Sequence, residues 1–309
     1  MSVKAVRVLD LVKLPRQIFH LLALMHASTF FKNDQDVDFV EYCCGKRAVT
    51  KAMTAIGLRA IGYDVLQNAL WEDFCSGIGF LTALQWLRRV SDGGAIWLGT
   101  VCSSWVWMCR NTSMRTYCHP RGLSSLTAVS IGNHMVARTA VLMAICCATS
   151  IVFILEQPRG SMMVQHPSLC WLRQRVRRVG MSWYSVDSYM AAFGGETLKP
   201  HSFFSSHSLI AELQRAHPGE VASARDREVC VKYIDKNGRK RCSGGRDLKG
   251  TQEYTPQFGH CVAQALAGRR EHNIPASDGH DDDIDEAAAW QDGFFDDVLS
   301  AFRLLESLK

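Results

Sequence analysis

The chain has 309 residues, 47% hydrophobic and 21% charged, an ordinary globular balance that can bury one large core or two smaller ones and argues against general disorder. Its twelve cysteines are too sparse for a disulfide scaffold. The pairs Cys43-Cys44 and Cys146-Cys147, set in apolar runs, imply reduced, buried thiols and an intracellular compartment, nucleus and organelle both left open. The net charge of +5 hides an asymmetry: Ile274 to Lys309 holds ten acidic and two basic residues, leaving 33 basic against 20 acidic before it. A body this basic suits a polyanion such as nucleic acid, or presents a solvated basic surface.

In chain order, residues 1–36 form an N-terminal extension. Within its first 33 residues, Lys4, Arg7, Lys13, Arg16 and Lys32 against Asp10 fit an organelle transit segment or an accessory amphipathic helix, and the helix is the preferred reading. From residue 37 the pattern alternates: strand "VDFVEYC", helix "AVTKAMTAIGL", strand "RAIGYDV", helix "GFLTALQWLRRV", strand "GAIWLGTV". A polar loop through Arg121 follows, then helix "NHMVARTAVLMAICCA", strand "IVFILEQP" and a helix around "LCWLRQRVRRVG". Strands joined by helical crossovers predict an α/β core over 37–204, a doubly wound Rossmann-like parallel sheet with helices on both faces. The uncharged stretch Thr139 to Leu155 is almost long enough for a bilayer, but it turns β-branched after Thr149-Ser150 and reads as helix then strand. No membrane partner is expected.

Residues 205–253 form a basic insertion, either a small recognition region or a flexible loop. Residues 254–273 return to the core, and 274–309 form an acidic tail. There Trp290, Phe294, Val298, Phe302 and Leu305 fall at helical spacing, predicting an amphipathic helix that packs on its own domain or on a protein partner. A tail folded back over the basic body would weaken nucleic-acid binding.

Two glycine stretches compete as the cofactor loop. Such a loop needs a strand, a tight glycine turn, a helix start, and a second strand ending in an acid about twenty residues on. "WEDFCSGIGFL" (71–81) fails, because the strand after Gly79 ends without an acid. "DFVEYCCGKRAVTKAMTAIGLRAIGYDV" supplies strand, Glu41, Gly45, helix, strand, and Asp64 23 residues after Glu41. Asp73 then becomes a contact near the third strand, and Gly77 and Gly79 become turn residues. Lys46 and Arg47 must point outward to admit a cationic ligand.

Two later strand ends bring a thiol and a carboxylate together: Cys102 in "GTVCSSWVWMCR" and Glu156 in "FILEQPRGS". A cysteine at such a place is a nucleophile if a cation or helix terminus stabilises its thiolate, and a small buried hydrophobe otherwise. Arg110, Arg115 and Arg121 follow in a polar loop able to grip phosphates or simply be solvated, and Trp105 and Trp107 suit base stacking or core anchoring. Neither Cys102/Cys109 nor Cys118-His119 makes a paired zinc pattern, so no metal is expected.

The order of "VEYCCG", "GYD", "GTVCSSW", "LEQP" and "QFGHCVAQALA", over roughly residues 37 to 268, resembles the DNA (cytosine-5) methyltransferase family. The resemblance implies a divergent S-adenosylmethionine-dependent methyltransferase with DNA favoured over RNA. It puts Glu41 and Gly45 at the methionine end of the cofactor, Asp64 at the ribose and Asp73 near the adenine. Cys102 becomes the nucleophile for carbon 6 of a flipped cytosine, and Glu156 holds N3 and the exocyclic amine. Gln257, Gly259 and His260 match the late segment that completes the cofactor pocket. Arg110, Arg115 and Lys199 become nucleic-acid contacts. The chain departs from the family at Val101, where a proline is usual, at Gln157-Pro158 in place of Asn-Val, and at His260 in place of asparagine. "LKPHSFF", with Lys199 and His201, stands where a Gln-Arg-x-Arg segment is usual. A catalytically silent module that binds nucleic acid or protein is the alternative. A nicotinamide-dependent enzyme explains Asp64 but gives Cys102 and Glu156 no purpose.

Overall fold

The computed structural model describes residues 13–28, 31, 34–217, 230–238, 240–244, 250–269, 271–276, 284, 286–290 and 295–307. The elements run α1 (Arg16–Ala27), β1 (Val37–Tyr42), α2 (Ala48–Ala55), β2 (Ala60–Tyr63), α3 (Gly77–Arg88), β3 (Val90–Leu98) and the short α4 (Arg110–Ser113). They continue through α5 (Thr127–Thr149), β4 (Val152–Pro158), α6 (Pro167–Arg178), β5 (Tyr184–Tyr189), β6 (Pro200–Ser205), β7 (Cys230–Ile234) and β8 (Lys240–Gly244). Last come α7 (Pro256–Gly268), α8 (Glu286–Ala289) and α9 (Asp296–Ser307).

Six strands form one sheet in the order β2-β1-β3-β4-β6-β5. β2, β1, β3 and β4 are parallel, while β6 is antiparallel to both β4 and β5. The sheet is therefore mixed, not parallel throughout, and with its flanking helices it is compatible with a Rossmann-like fold. The departure has a local cause. Residues 190–199 between β5 and β6 hold only a short 3-10 turn, too little chain for a crossover helix, so β6 returns antiparallel.

The strands are apolar on both faces because both faces are covered. Val40, Tyr42, Ile96, Leu98, Phe153 and Leu155 join the core built with α1, α3, α5, α6 and α9. Phe39, Trp97, Ile154 and Phe203 join the one built with α2 and α7. Helix α5 is long and apolar enough to cross a membrane by length and composition, and 89% of that window is buried inside the protein. It ends at Thr149 on left-handed Ser150, where the sequence changes from helix-like to strand-like.

Helix α1 buries Ile18, Leu21, Leu22 and Met25, the face expected of an accessory amphipathic helix. The basic insertion starts inside the core, with Leu209, Ile210 and Leu213 buried, and then forms the β7–β8 hairpin; its residues 218–229, 239 and 245–249 lie outside the described residues. The tail is two helices, not one. Phe295, Val298, Phe302 and Leu305 are buried. Phe302 stacks on Phe31 with ring centres 5.8 Å apart, and Trp290 meets Trp171 edge-on at 5.4 Å. Phe294 lies outside the described residues. The apolar face of α9 is thus covered by its own chain, and the tail's described residues are part of the fold; its Asp278, Asp281, Asp282, Asp283, Asp285 and Asp292 lie outside the described residues.

Candidate active site

The chain leaves β1 for β2 on one side, then returns to build β3 on the other. Loops after β1 and β3 consequently diverge, and a crevice opens at their C-terminal ends. A cavity of about 750 Å³ occupies that place, within the range of small-ligand sites. Gly45, Asp64, Asp73, Cys102, Glu156 and Lys199 all line it.

At the β1 end, Cys43, Gly45 and Arg47 adopt left-handed backbone at φ 56°, 48° and 61°, and Gly45 is the one of the three that tolerates this without a side-chain penalty. Asp64 fastens the turn: its Oδ2 accepts from Gly45 N at 2.8 Å and its Oδ1 from Leu66 N at 2.9 Å. Lys46 reaches the exposed rim and pairs with Glu253 at 2.8 Å. Arg47 lies back against Gly62, where a Cβ would come within 3.1 Å of its side chain. Glu41 does not line the cavity. It is wholly buried beneath the loop, and its Oε2 accepts from Thr50 N and Oγ1 at 2.7 and 2.5 Å, tying down the start of α2. Burial pushes its carboxyl up to about 7 against the lowering effect of Thr50.

The glycines of "WEDFCSGIGFL" are packing residues, not turn residues. Both sit in the first turn of α3, capped by Ser76 Oγ, which accepts from Gly79 N. A Cβ on Gly79 would lie 1.9 Å from Asp73 O, and one on Gly77 2.3 Å from Asp297 O. Gly79→Ala is expected to lower thermal stability by about 2–3 kcal/mol through overpacking, checked by thermal melting against Gly268→Ala, whose Cβ meets no neighbour within 4 Å. Asp73 lines the cavity and its Oδ1 accepts from Cys75 N. Glu72, which sequence reasoning passed over, lines it too and accepts from Asp64 N at 3.0 Å.

At the other end, Gln157 joins two strand ends. Its Nε2 donates to Thr100 O at 2.7 Å and its Oε1 accepts from Ser161 Oγ at 3.0 Å, fixing the loop that carries Cys102. Burial pushes the Cys102 thiol up to about 11, the charge of Glu156 adds to this, and Lys199 opposes it. Glu156 accepts from His201 Nδ1 on Oε1 and from Tyr254 Oη on Oε2 at 2.6 Å. Burial alone would raise its carboxyl, but His201, Lys199 and Tyr254 together hold it below the usual value. Lys199, at φ 25°, donates to Thr251 O at 2.5 Å. Tyr254 carried no sequence signal, because it precedes the helix cap Thr255 in an irregular segment.

Several expected contacts lie elsewhere. On α7, Gln257 and His260 are exposed, His260 meets Gln264, and Gly259 lets the helix approach α2, where a Cβ would be 2.5 Å from Ala48 O. None of the three lines the cavity; Gln252, Glu253 and Tyr254 do. Gln257, Gly259 and His260 lie outside it because α7 packs on α2, over the sheet face that carries Phe39, Trp97 and Phe203. Arg115 is wholly buried and cannot reach a phosphate. Its guanidinium donates to Pro120 O, Asn133 Oδ1, Ser104 Oγ and Val129 O and lies over the Trp105 ring at 3.3 Å, bracing the loop after Cys102. Arg121 donates to Ala288 O. Arg110 is exposed. Leu66, which lines the cavity, is 80% exposed, and on the polar loop after Cys102 Trp107 and Tyr117 are 72% and 67% exposed. Among the described residues, no group of three or more His, Cys, Asp or Glu is placed to hold a metal ion.

No protein-family model, curated protein or solved structure matches this chain.

Proposed function

We propose that this chain is an intracellular S-adenosylmethionine-dependent methyltransferase acting on nucleic acid, at carbon 5 of cytosine in DNA, through a covalent bond to Cys102. One observation carries the reading: a single cavity at the strand ends joins Asp64, clamped to the glycine turn, with Cys102 and Glu156. The residues fit the cofactor. Asp64, Glu72, Asp73, Glu156 and Glu253 outnumber Lys46 and Lys199 along the wall, which suits a cationic ligand. Each Asp64 oxygen spends one acceptor site on a backbone N–H and keeps capacity for a ribose hydroxyl.

When bound, the cofactor supplies an electrophilic methyl group. The chain's own part is then to hold and activate the base. Cys102 passes its proton to water as its sulfur bonds to carbon 6, while N3 takes a proton from water; once carbon 5 carries a methyl group, the protons on carbon 5 and N3 pass to water and the carbon 6–sulfur bond breaks, its electron pair returning to sulfur. Glu156 accepts from the exocyclic amine, and from N3 once that nitrogen is protonated, favouring addition. The acidic wall repels a phosphate backbone, so a flipped base enters while the strand stays outside. A silent binding module is the competing reading, favoured by the resting thiol being held protonated.

The test is calorimetric titration of S-adenosylmethionine into the wild type and Asp64→Asn. Saturable binding by the wild type is expected, weakened about tenfold in the variant, together with a stability loss of about 1–2 kcal/mol because the amide can accept only one of the two backbone N–H groups that Asp64 holds. No binding by the wild type overturns the assignment.

A further inference from the structure

Glu156 is gripped by two donors, and they come from different parts of the fold. His201 and Glu156 are diagonal neighbours on one face of the β4–β6 pair, since Glu156 stands opposite Phe203 and Pro158 opposite His201. Such positions bring side chains of this length together. His201 is 1% exposed, its ring lies parallel to Phe203 at 6.3 Å, and its Nε2 is buried with no hydrogen-bond partner among the described residues. A carboxylate only accepts, so Nδ1 carries the hydrogen that points at Oε1.

Tyr254 approaches from the return segment. Its Oη donates to Oε2 at 2.6 Å and accepts from Trp97 Nε1 at 3.3 Å, and the ring is fixed edge-on against Trp97 at 5.7 Å. The result is a hydrogen-bonded row, Trp97, Tyr254, Glu156 and His201, drawn from β3, the return segment, β4 and β6. A carboxylate bound on each oxygen by a separate rigid ring cannot turn. Four polar groups buried for support alone would be replaced by apolar packing at little loss. Here the row opens on the cavity through Glu156 and Tyr254, where Cys102 and Lys199 also stand.

The geometry points to His201 and Tyr254 as positioning residues that hold the Glu156 carboxylate ionised and in one orientation beside Cys102, so that the occupant of that carboxylate governs the readiness of the thiol. This rests on the proposed pairing of Cys102 with Glu156 as the reacting groups. The physical link is charge. An ionised Glu156 disfavours a thiolate at Cys102, and a substrate that neutralises the carboxylate removes that opposition at the moment the base arrives. The groups facing Glu156 are His201, Lys199, Tyr254 and Cys102, and only Lys199 favours the thiolate directly.

The experiment is the rate of iodoacetamide alkylation at Cys102 against pH, followed by peptide mass spectrometry on the full chain. The variants are Glu156→Gln, Tyr254→Phe, His201→Leu and His201→Asn, the last keeping an N–H near the Nδ1 position. The expected result is alkylation of Glu156→Gln at a fixed pH below the thiol midpoint faster by roughly tenfold, one unit of thiol shift. Tyr254→Phe and His201→Leu should move the same way by a smaller factor, because a buried carboxyl stripped of a donor takes up a proton. His201→Asn should restore the wild-type profile. Melting temperatures are recorded beside each profile; a support-only role would lower melting in Tyr254→Phe and His201→Leu and leave their profiles on that of the wild type. That outcome overturns the inference while Glu156→Gln still shifts, and an unshifted Glu156→Gln overturns the coupling itself. The same proteins are offered 5-fluorocytosine DNA with S-adenosylmethionine. Absence of an adduct in the wild type counts against the proposed function and leaves the alkylation result standing by itself.

Discussion

Truncation after residue 276 is expected to leave a chain that does not fold. The acidic tail is held chiefly by burial. Trp290, Phe295, Val298, Phe302 and Leu305 are all under 9% exposed, and at about 1.5–3 kcal/mol each for a large apolar side chain their loss amounts to roughly 8–15 kcal/mol, the size of a typical whole-domain stability. Polar fastening adds to this. Arg138, wholly buried on α5, donates to Phe74 O and Ser76 O and, at 2.6 Å, to Asp297 Oδ2. Removing the tail leaves that guanidinium without its carboxylate, and a buried charge stripped of its partner costs about 3–5 kcal/mol. Asp297 is itself half-exposed, which places the single substitution Asp297→Ala at the lower end of that range. Because Phe74 also lines the cavity, the same substitution should loosen the wall between Asp73 and Cys75. Circular dichroism melting of the truncated and Asp297→Ala proteins checks both statements. A truncated chain that melts cooperatively near the wild-type temperature would contradict the first.

Cys102→Ser is expected to abolish denaturant-resistant adducts with 5-fluorocytosine DNA and to lower methyl transfer by at least about a thousandfold, the scale for loss of a covalent nucleophile. The wild type should also show a distinctive pH dependence. With the thiol pushed up to about 11, the thiolate fraction grows about tenfold per unit between about pH 7 and pH 10, so the adduct rate should climb through that range without levelling near pH 8.5. The sign follows from burial and the Glu156 charge, which both disfavour the anion. Release of the Glu156 charge by the substrate shifts this rise by only about one pH unit, so a rate flat from pH 7 upward would contradict the prediction. Equal adduct from Cys102→Ser would remove the nucleophile assignment.

How far the sequence reaches differs between the two halves of the site. The β1 and β2 half is local: a strand, a turn at Gly45, a helix and Asp64 follow each other within a short stretch of chain, and spacing alone brings Asp64 to the turn. The rejection of "WEDFCSGIGFL" as a cofactor loop also rests on local order, though not the reason its glycines are there. Gly79 answers to the backbone of Asp73 and Gly77 to that of Asp297, and the second neighbour lies more than two hundred residues away in the chain.

The sequence by itself determined the alternating α/β core, the helix-to-strand change at Ser150, the amphipathic character of α1 and of the tail, and the arrival of Cys102 and Glu156 at adjacent strand ends. Each of these follows from periodicity or from the direction of a strand, which neighbouring residues encode. Only the tertiary structure decided that β6 runs antiparallel between β4 and β5, that Arg115 is a brace and not a phosphate contact, that Gln257 and His260 face solvent, and that His201 and Tyr254 close on Glu156. A side chain's partner across the sheet depends on register and on which helix covers which face. Those are set by the packing of distant segments into two cores, and no local pattern carries them.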